Sequence, residues 1–128
     1  MAGDGVIEGV VNSSYEAVIP LSLQGPVGMP QELEAVVDTG FNGYLSVPSS
    51  LVAELGLVFS ITNWAVLADG SEVSFNTYEA TVQWEGQPRS VMVDEADTTP
   101  LVGMLLMDGH ELSIQVYDGG GVRIEAAA

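Results

Sequence analysis

The sequence predicts a single all-β domain, and three observations support that fold class. Short stretches of alternating apolar and polar residues run through most of the chain, as they do in half-buried strands. Gly, Pro, Asn and Asp separate these stretches at short intervals, which is typical of turns between strands. The 128 residues are 47% hydrophobic and only 16% charged, enough apolar side chain for one core. We therefore expect residues 1–128 to form one domain, with one or two short helices.

The first half of the chain predicts three strands and one helix. Pro20 favours a sheet edge for the first strand, because proline cannot donate a ladder hydrogen bond. Ser49 or Ser50 is the expected N-cap of the helix, and Gly56 is its expected stop. The expected elements are strands at 15–24, 33–37 and 45–47 and a helix at 49–57.

The second half predicts two hairpins followed by a pair of C-terminal strands. Asp69-Gly70 and Glu85-Gly86 are the two hairpin turn signals. Beyond Thr77 the apolar positions change parity, as one extra residue in a β-bulge would cause. A brief helix is expected from Met104 to Asp108, closed by Gly109. The last two strands are expected around 112–116 and 122–124.

The charge balance argues against nucleic acid and anionic membranes as partners. Asp and Glu number 18 against 2 Lys and Arg, a net charge of −16. Phosphate binding needs clustered cations, and this chain offers only Arg89 and Arg123. Anionic membrane surfaces are disfavoured for the same reason. The acidity favours either cationic substrates, life at high salt, or simply solubility through self-repulsion.

No metal, cofactor or thiol chemistry is expected. The chain has no cysteine, which removes disulfides, thiolate ligands and a cysteine nucleophile. Asp94, Glu95 and Asp97 lack EF-hand spacing and favour a solvated loop over a calcium site. His110 is the only histidine, so a Ser-His-Asp enzyme has little support. With no leader pattern or bilayer-spanning apolar stretch, we expect a soluble cytoplasmic protein.

Asp38 is the strongest candidate for a catalytic residue. It directly follows the apolar strand expected at 33–37 and precedes Thr39 and Gly40. Such a strand delivers a carboxylate to a rigid loop, where Gly40 permits a tight turn and Thr39 can hydrogen-bond locally. The alternative is an ordinary turn residue after a strand, a position that aspartate favours.

The segment Ala35 to Gly40, followed downstream by Leu101-Val102-Gly103 and a short helix, resembles the retropepsin-like aspartic proteases, in particular their prokaryotic single-domain members. The resemblance spans about residues 15 to 125. It implies a closed β-barrel or sandwich that supplies half of an active site per chain. It also implies that the hairpin turning at Asp69-Gly70 is a flap over an extended peptide. The implied catalytic residues are Asp38, Thr39 and Gly40, and the implied substrate-binding residues are Phe41, Asn42, Gly43, Leu67, Ala68, Asp69, Gly70, Leu101 and Val102.

The resemblance further implies a homodimer whose two Asp-Thr-Gly loops meet on a twofold axis. The sequence points the same way, because carboxylate catalysis of peptide hydrolysis needs two groups in different protonation states. Only Asp38 precedes Thr-Gly or Ser-Gly, so a symmetric partner would supply the second group. We therefore expect a homodimeric aspartic endopeptidase that acts on peptides or unfolded proteins.

Three positions depart from the viral members of the family that the chain resembles. Phe41 stands where a small residue is usual, and Asn42 and Met104 replace an Asp and an Arg that pair with each other. Both halves of that ion pair are replaced together. The bulk of Phe41 and the acid excess favour the alternative function, a noncatalytic dimeric β-module for protein interaction that retains the protease fold.

Overall fold

The computed structural model describes residues 5–128, whose strands form one ten-stranded sheet and whose single helix follows the fourth strand. The all-β prediction is confirmed. The elements are β1 (Val6–Val11), β2 (Ala17–Gln24), β3 (Gln31–Val37), β4 (Leu45–Val47), α1 (Ser49–Leu55), β5 (Val58–Val66), β6 (Glu72–Trp84), β7 (Gln87–Glu95), β8 (Leu101–Val102), β9 (His110–Ile114) and β10 (Gly121–Ala126).

Six of the strands close into a barrel. The order β6-β7-β4-β8-β3-β2 returns on itself because Leu23 and Gln24 of β2 pair with Val82 and Thr81 of β6. The predicted closed barrel is therefore confirmed. Strands β1, β10 and β9 continue the sheet beyond β2, and β5 extends β6 into a long hairpin. The largest fully buried side chains are Ile19, Leu23, Leu45, Leu106, Ile124, Val47, Val82, Val93, Val102 and Val122.

Strand β2 alternates as predicted, but its predicted place at a sheet edge is wrong. Ala17, Ile19, Leu21 and Leu23 are all buried, and β2 lies between β1 and β3 in the sheet. Proline is tolerated there for a local reason. Pairing with β1 stops at Val18 and pairing with β6 begins at Leu23, so β3 alone pairs with β2 at Pro20.

Helix α1 ends as predicted but begins differently. Gly56 adopts the left-handed conformation (φ 58°, ψ 43°) that terminates it. The N-cap is Pro48 rather than Ser49 or Ser50, and no side chain caps the helix. The carbonyl oxygen of Pro48 instead accepts the backbone N–H groups of the first turn, at 3.0 and 3.3 Å. The apolar face of α1 packs into the core through Leu51, Val52 and Leu55.

The predicted bulge exists, but it lies on β5 rather than on β6. Phe59 pairs with Tyr78 and Ile61 with Thr77, which leaves Ser60 as the extra residue. The parity change in β6 falls where this strand pairs with both β5 and β7, at residues 77–79, before it continues in the barrel wall. Its buried positions from there on are Thr77, Ala80, Val82 and Trp84.

Two further expectations need correction. Residues 104–109 form successive turns instead of the predicted helix, with Asp108 N bonded to Leu105 O (3.4 Å). Gly109, at φ 81°, ends the segment before i to i+4 bonds can accumulate. Strand β1 was not predicted, because Gly9 interrupts its apolar run. A Cβ at Gly9 would lie 1.9 Å from Val18 O, so close packing against β2 requires glycine there.

The two hairpin turns are confirmed. Glu85 and Gly86 both have positive φ (56° and 78°), as a two-residue turn between strands with a right-handed twist requires. Gly70 has φ 86° in the turn at the tip of the β5–β6 hairpin. Within residues 5–128, no helix has the length and apolar character needed to cross a membrane.

Candidate active site

Asp38 lies at the carboxyl end of β3, where the barrel brings the two sequence motifs together. Strand β3 runs parallel to β8, with Val36 opposite Leu101 and Val37 opposite Val102. The backbone N–H of Asp38 then donates to Val102 O at 2.9 Å. This pairing fixes the backbone of Asp38 at the end of the strand and leaves its side chain partly exposed.

The loop after β3 holds the Asp38 carboxylate through its own backbone. The N–H of Gly40 donates to Asp38 Oδ1 at 2.9 Å, and the N–H of Phe41 donates to Asp38 O at 3.1 Å. One carboxylate oxygen is thus oriented before any ligand arrives. Thr39 is exposed beside it, and its bracing role stays a prediction.

The segment after β8 clamps the same loop from the other side. Three backbone hydrogen bonds join the two segments, so the loop is not free to change its path. The pairs are Gly103 N with Tyr44 O at 3.0 Å, Met104 N with Phe41 O at 2.8 Å, and Leu105 N with Gly43 O at 3.1 Å.

Two glycines create the space that Phe41 occupies. A Cβ at Gly43 would lie 2.6 Å from the Phe41 ring, and a Cβ at Gly103 would lie 2.7 Å from it. At Gly103 the added atom would also lie 2.1 Å from Gly43 O. The Phe41 ring therefore packs closely against Gly43 and Gly103. The sequence did not predict this role of the two glycines.

A depression of about 430 Å³ surrounds the Asp38 side chain. Most of its lining is apolar, and Tyr15 and Val116 are each 69% exposed. It also contains a second carboxylate, Glu16, whose Oε1 accepts a 2.9 Å hydrogen bond from Asn12 Nδ2. We call this surface the Asp38 depression; its lining is Val11, Tyr15, Glu16, Ala17, Val36, Val37, Asp38, Thr39, Leu101, Ile114 and Val116.

A larger cleft of about 770 Å³ lies on the other side of Leu101, which lines both spaces. One wall comes from the β5–β6 hairpin and another from the loop after β7. We call it the Phe41 cleft; its lining is Phe41, Ser46, Ala65, Val73, Ser74, Phe75, Asp94, Glu95, Ala96, Asp97, Thr98 and Leu101.

Ser46 and Asp94, which line this cleft, belong to a row of polar side chains that continues to Thr77 on the next strand. Asp94 on β7 is paired with Ser46 on β4 and with Thr77 on β6. Thr77 Oγ1 donates to Asp94 Oδ1 at 3.3 Å and accepts from Asn63 Nδ2 at 2.9 Å. The Ser46 hydroxyl, in a residue only 4% exposed, has no hydrogen-bond partner among residues 5–128. An unpaired buried hydroxyl costs about 1–3 kcal/mol.

Burial raises the pKa of Asp94 above its usual range, and the Thr77 hydrogen bond offsets only part of that effect. The other charged residues that line the cleft, Glu95 and Asp97, are also acids. No cation in the lining therefore favours the charged form of Asp94. Asp94 is thus a half-buried acid without a positive partner in the cleft. Sequence reasoning had placed it in a solvated loop.

The raised pKa of Asp94 predicts a pH-dependent gain in stability for Asp94→Asn. A carboxyl whose folded pKa exceeds its unfolded pKa stabilises the fold below the unfolded pKa, and this contribution is lost as pH rises through the folded value. At pH 7 we expect the variant to melt about 2 °C higher than the wild type, since the group is partly solvated. The difference should shrink toward pH 4.

Thermal denaturation across this pH range checks that expectation. Glu54→Gln removes one charge from the exposed face of α1 and is the matched control for the net charge of −16. An equal gain for both variants, or a lower melting temperature for Asp94→Asn, would contradict the assignment of the effect to burial.

Several predicted substrate-binding residues lie away from the Phe41 cleft. Val102 is fully buried in the core, so it has no surface to offer a substrate. Residues 67–70 lie exposed at the tip of the hairpin; within the described chain the cleft is lined instead by other positions of that hairpin, namely Ala65, Val73, Ser74 and Phe75. Asn42 and Met104 share a different depression, so the two replaced positions are neighbours in space.

His110 belongs to a separate cluster at the start of β9. Its Nε2 contacts Glu85 Oε1 and the indole N–H of Trp84, and its Nδ1 lies 2.9 Å from Asp108 O. Burial opposes the charged imidazole, but the hydrogen bond to Glu85 and the backbone contacts outweigh it and raise the pKa of His110. The histidine lines neither the Asp38 depression nor the Phe41 cleft, which agrees with a structural role.

Comparison with known proteins rests on structure alone. No protein-family model matches this sequence, and a search of curated proteins found no match. Among solved structures, the chain is similar to a retropepsin-like aspartic protease from Rickettsia conorii, with 17% identity, a TM-score of 0.60, and coverage of 97% of this chain and 93% of that one. It is also similar to EIAV protease complexed with the inhibitor HBY-793, with 14% identity, a TM-score of 0.55, and coverage of 75% and 88%.

These similarities agree with the architecture described above. Both comparison structures are proteases, and the alignment with the rickettsial aspartic protease extends over nearly all of both chains. The barrel, the hairpin and the paired segments around Asp38 give this chain the retropepsin-like fold.

Proposed function

We propose that the chain is one subunit of a homodimeric aspartic endopeptidase in which Asp38 from each of two copies acts on the same peptide bond. One observation carries the proposal: the parallel pairing of β3 with β8 holds a partly exposed carboxylate on a loop fixed by backbone hydrogen bonds.

A second chain is required because one Asp38 cannot act both as a base and as an acid in the same step. A twofold axis beside Asp38 supplies an identical carboxylate. It would also cover the apolar side chains of the Asp38 depression, such as Tyr15, Ile114 and Val116, which the isolated chain exposes to water. The same twofold contact would thus supply the second carboxylate and bury the apolar side chains around the first.

The paired carboxylates share one proton, because like charges this close oppose ionisation of both. The ionised member takes a proton from a bound water, and the water oxygen attacks the carbonyl carbon of the substrate. The protonated member donates to the developing oxyanion. As the C–N bond breaks, the leaving amine takes the proton that the other member received from water, and collapse of the diol to the carboxylic acid returns a proton to the pair. The Gly40 N–H keeps one Asp38 oxygen oriented throughout.

The substrate that fits this arrangement is an extended peptide. The β5–β6 hairpin, from Val58 to Glu79, acts as a flap in this proposal and lines the Phe41 cleft through Ala65, Val73 and Phe75. A flap of this kind excludes water once a peptide lies beneath it. Nucleic acid does not suit a chain with a net charge of −16.

Cleavage of an unfolded protein tests the proposal. Purified protein, shown to be dimeric by analytical ultracentrifugation, is incubated with a denatured substrate between about pH 4 and 7, the range in which a carboxylate pair can share a proton. We expect discrete fragments and inhibition by a pepstatin-type compound. A dimer that cuts none of several unfolded substrates at any of these pH values would favour the noncatalytic interaction module.

A further inference from the structure

The Phe41 cleft combines an apolar wall with a floor of hydrogen-bond acceptors. Phe41, Val73 and Leu101 supply apolar surface from three different segments of the chain. The floor carries the carboxylate of Asp94 and the hydroxyl of Ser46, which are neighbours across the parallel pairing of β4 with β7. A long aliphatic stem with a polar end matches this division better than a purely apolar side chain does.

The Ser46 hydroxyl indicates that a ligand belongs on this floor. Leu45 and Val47 face the core, so the strand turns Ser46 to the opposite side, where it lines the cleft. The residue is only 4% exposed and its hydroxyl is unpaired among residues 5–128. Buried polar groups in proteins are almost always paired, so this one calls for a partner that the chain does not supply.

Asp94 has one oxygen available for such a partner. Thr77 donates to Oδ1. Oδ2 is directed toward the loop that carries Asp38, because a Cβ at Gly43 would lie 3.3 Å from it. The free oxygen of a half-buried carboxylate therefore faces Gly43, in the loop that follows Asp38.

The charges around the cleft favour a cationic ligand. Its lining contains Asp94, Glu95 and Asp97 and includes neither Lys, Arg nor His. Among residues 5–128, no three acidic or histidine side chains are arranged to hold a metal ion. Separate acceptors on one floor suit a group with several N–H donors, such as an ammonium or a guanidinium.

We propose that the Phe41 cleft selects a lysine or arginine side chain of the peptide substrate, whose cationic end binds Asp94 and Ser46 while its stem packs along Phe41 and Leu101. This inference rests on the proposed function, because it assigns the cleft to a peptide. Asp94 is a specificity residue in this arrangement and takes no part in bond cleavage. The absence of a side chain at Gly43 leaves Asp94 Oδ2 uncovered on that side, since a Cβ there would lie 3.3 Å from it.

A set of peptides that differ at one residue tests the proposal. Each position flanking the scissile bond is in turn lysine, its uncharged analogue norleucine, or glutamate. The ratio of kcat/KM for lysine over norleucine is measured at about 0.5 M salt, where the Debye length is only ~4 Å and the overall charge is screened. At one position we expect a ratio of about ten. This value lies between the contributions to binding of an exposed and of a fully buried ion pair.

Variants locate the source of that ratio. Asp94→Asn should bring the ratio close to one, and Ser46→Ala should lower it by a few-fold. Glu54→Gln, which removes an equal charge from the exposed face of α1, should leave it unchanged. If Glu54→Gln lowers the ratio as much as Asp94→Asn does, the preference comes from net charge and the cleft is not its source.

A binding measurement separates this inference from the proposed function. The same peptides are titrated into Asp38→Asn protein, and into its double variant with Asp94→Asn, by isothermal titration calorimetry. Tighter binding of the lysine peptide that depends on Asp94 supports the inference even if the wild type cuts nothing, a result that would overturn the function alone. Cleavage and binding without a lysine preference would overturn the inference and leave the function standing.

Discussion

Asp38→Asn is expected to remove peptide-bond hydrolysis while the chain stays folded and dimeric. Asparagine has nearly the same shape and can still accept the Gly40 N–H, which bonds Asp38 Oδ1 at 2.9 Å. It cannot take a proton from water or hold the shared proton, and loss of acid–base catalysis costs about 10²–10⁴-fold. Fragment release from an unfolded protein measures the loss, and circular dichroism with ultracentrifugation checks the fold and the dimer.

Glu16→Gln is the matched control for this variant. Glu16 lines the same depression and undergoes the same change from acid to amide. It is exposed on the turn before β2, where it accepts a hydrogen bond from Asn12. We expect its activity to stay within a few-fold of the wild type. Complete loss in Glu16→Gln would mean that both catalytic carboxylates lie in one chain.

Gly103→Ala is expected to destabilise the protein by about 3 kcal/mol or more, at the upper end of what overpacking costs. The added methyl would lie 2.1 Å from the backbone oxygen of Gly43 and 2.7 Å from the Phe41 ring. The backbone cannot move away easily, because hydrogen bonds join residues 103–105 to residues 41–44. Chemical denaturation of the wild type and the variant gives the difference in unfolding free energy.

Gly43→Ala provides the comparison that identifies the cause. Its added methyl would lie 2.6 Å from the Phe41 ring, with Asp94 Oδ2 next at 3.3 Å. Adding Phe41→Ala should therefore recover most of the loss in Gly43→Ala but little of the loss in Gly103→Ala, where the backbone contact remains. Equal recovery in the two double-mutant cycles would contradict this view of the loop.

The sequence predicted the parts of the site that depend on local order. The place of Asp38 at the end of a strand could be predicted because apolar residues precede it and Thr39 and Gly40 follow it, a pattern contained in one short segment. The hairpin turn at Asp69-Gly70 could be predicted for the same reason, since glycine permits the positive φ found there. Features that depend on residues adjacent in the sequence could be predicted without a structure.

The missed features depend on pairings between distant segments. Asp94 and Ser46 are 48 positions apart and become neighbours only through the parallel register of β4 and β7. Nothing in the local sequence distinguishes Asp94 from Glu95 and Asp97, the acids that follow it. The spacing between Phe41 and Gly103 was likewise hidden, because a ring over a glycine is a tertiary contact. Val102 was assigned to the substrate, whereas its alternation with Leu101 places it in the core.

The helix expected after Gly103 was a wrong prediction of a different kind, because its sequence pattern was local. Helical pattern was present from Met104 to Asp108, but the first N–H groups of that segment bond to the loop around Phe41. The segment is held by the site it supports and turns back at Gly109 before a helix can extend. Those N–H groups would lack an intrahelical partner in a helix too, so the early turn at Gly109 is what explains the missing helix.

Mixing active and inactive subunits tests most directly whether each active site takes one Asp38 from each of two chains. Wild-type protein and Asp38→Asn protein are refolded together in different ratios at constant total concentration, and the rate of peptide cleavage is measured. Dimers that need both carboxylates should give a rate that falls with the square of the wild-type fraction, to about a quarter at equal amounts. A linear fall, to about one half, would show that each chain works alone and would contradict the shared site.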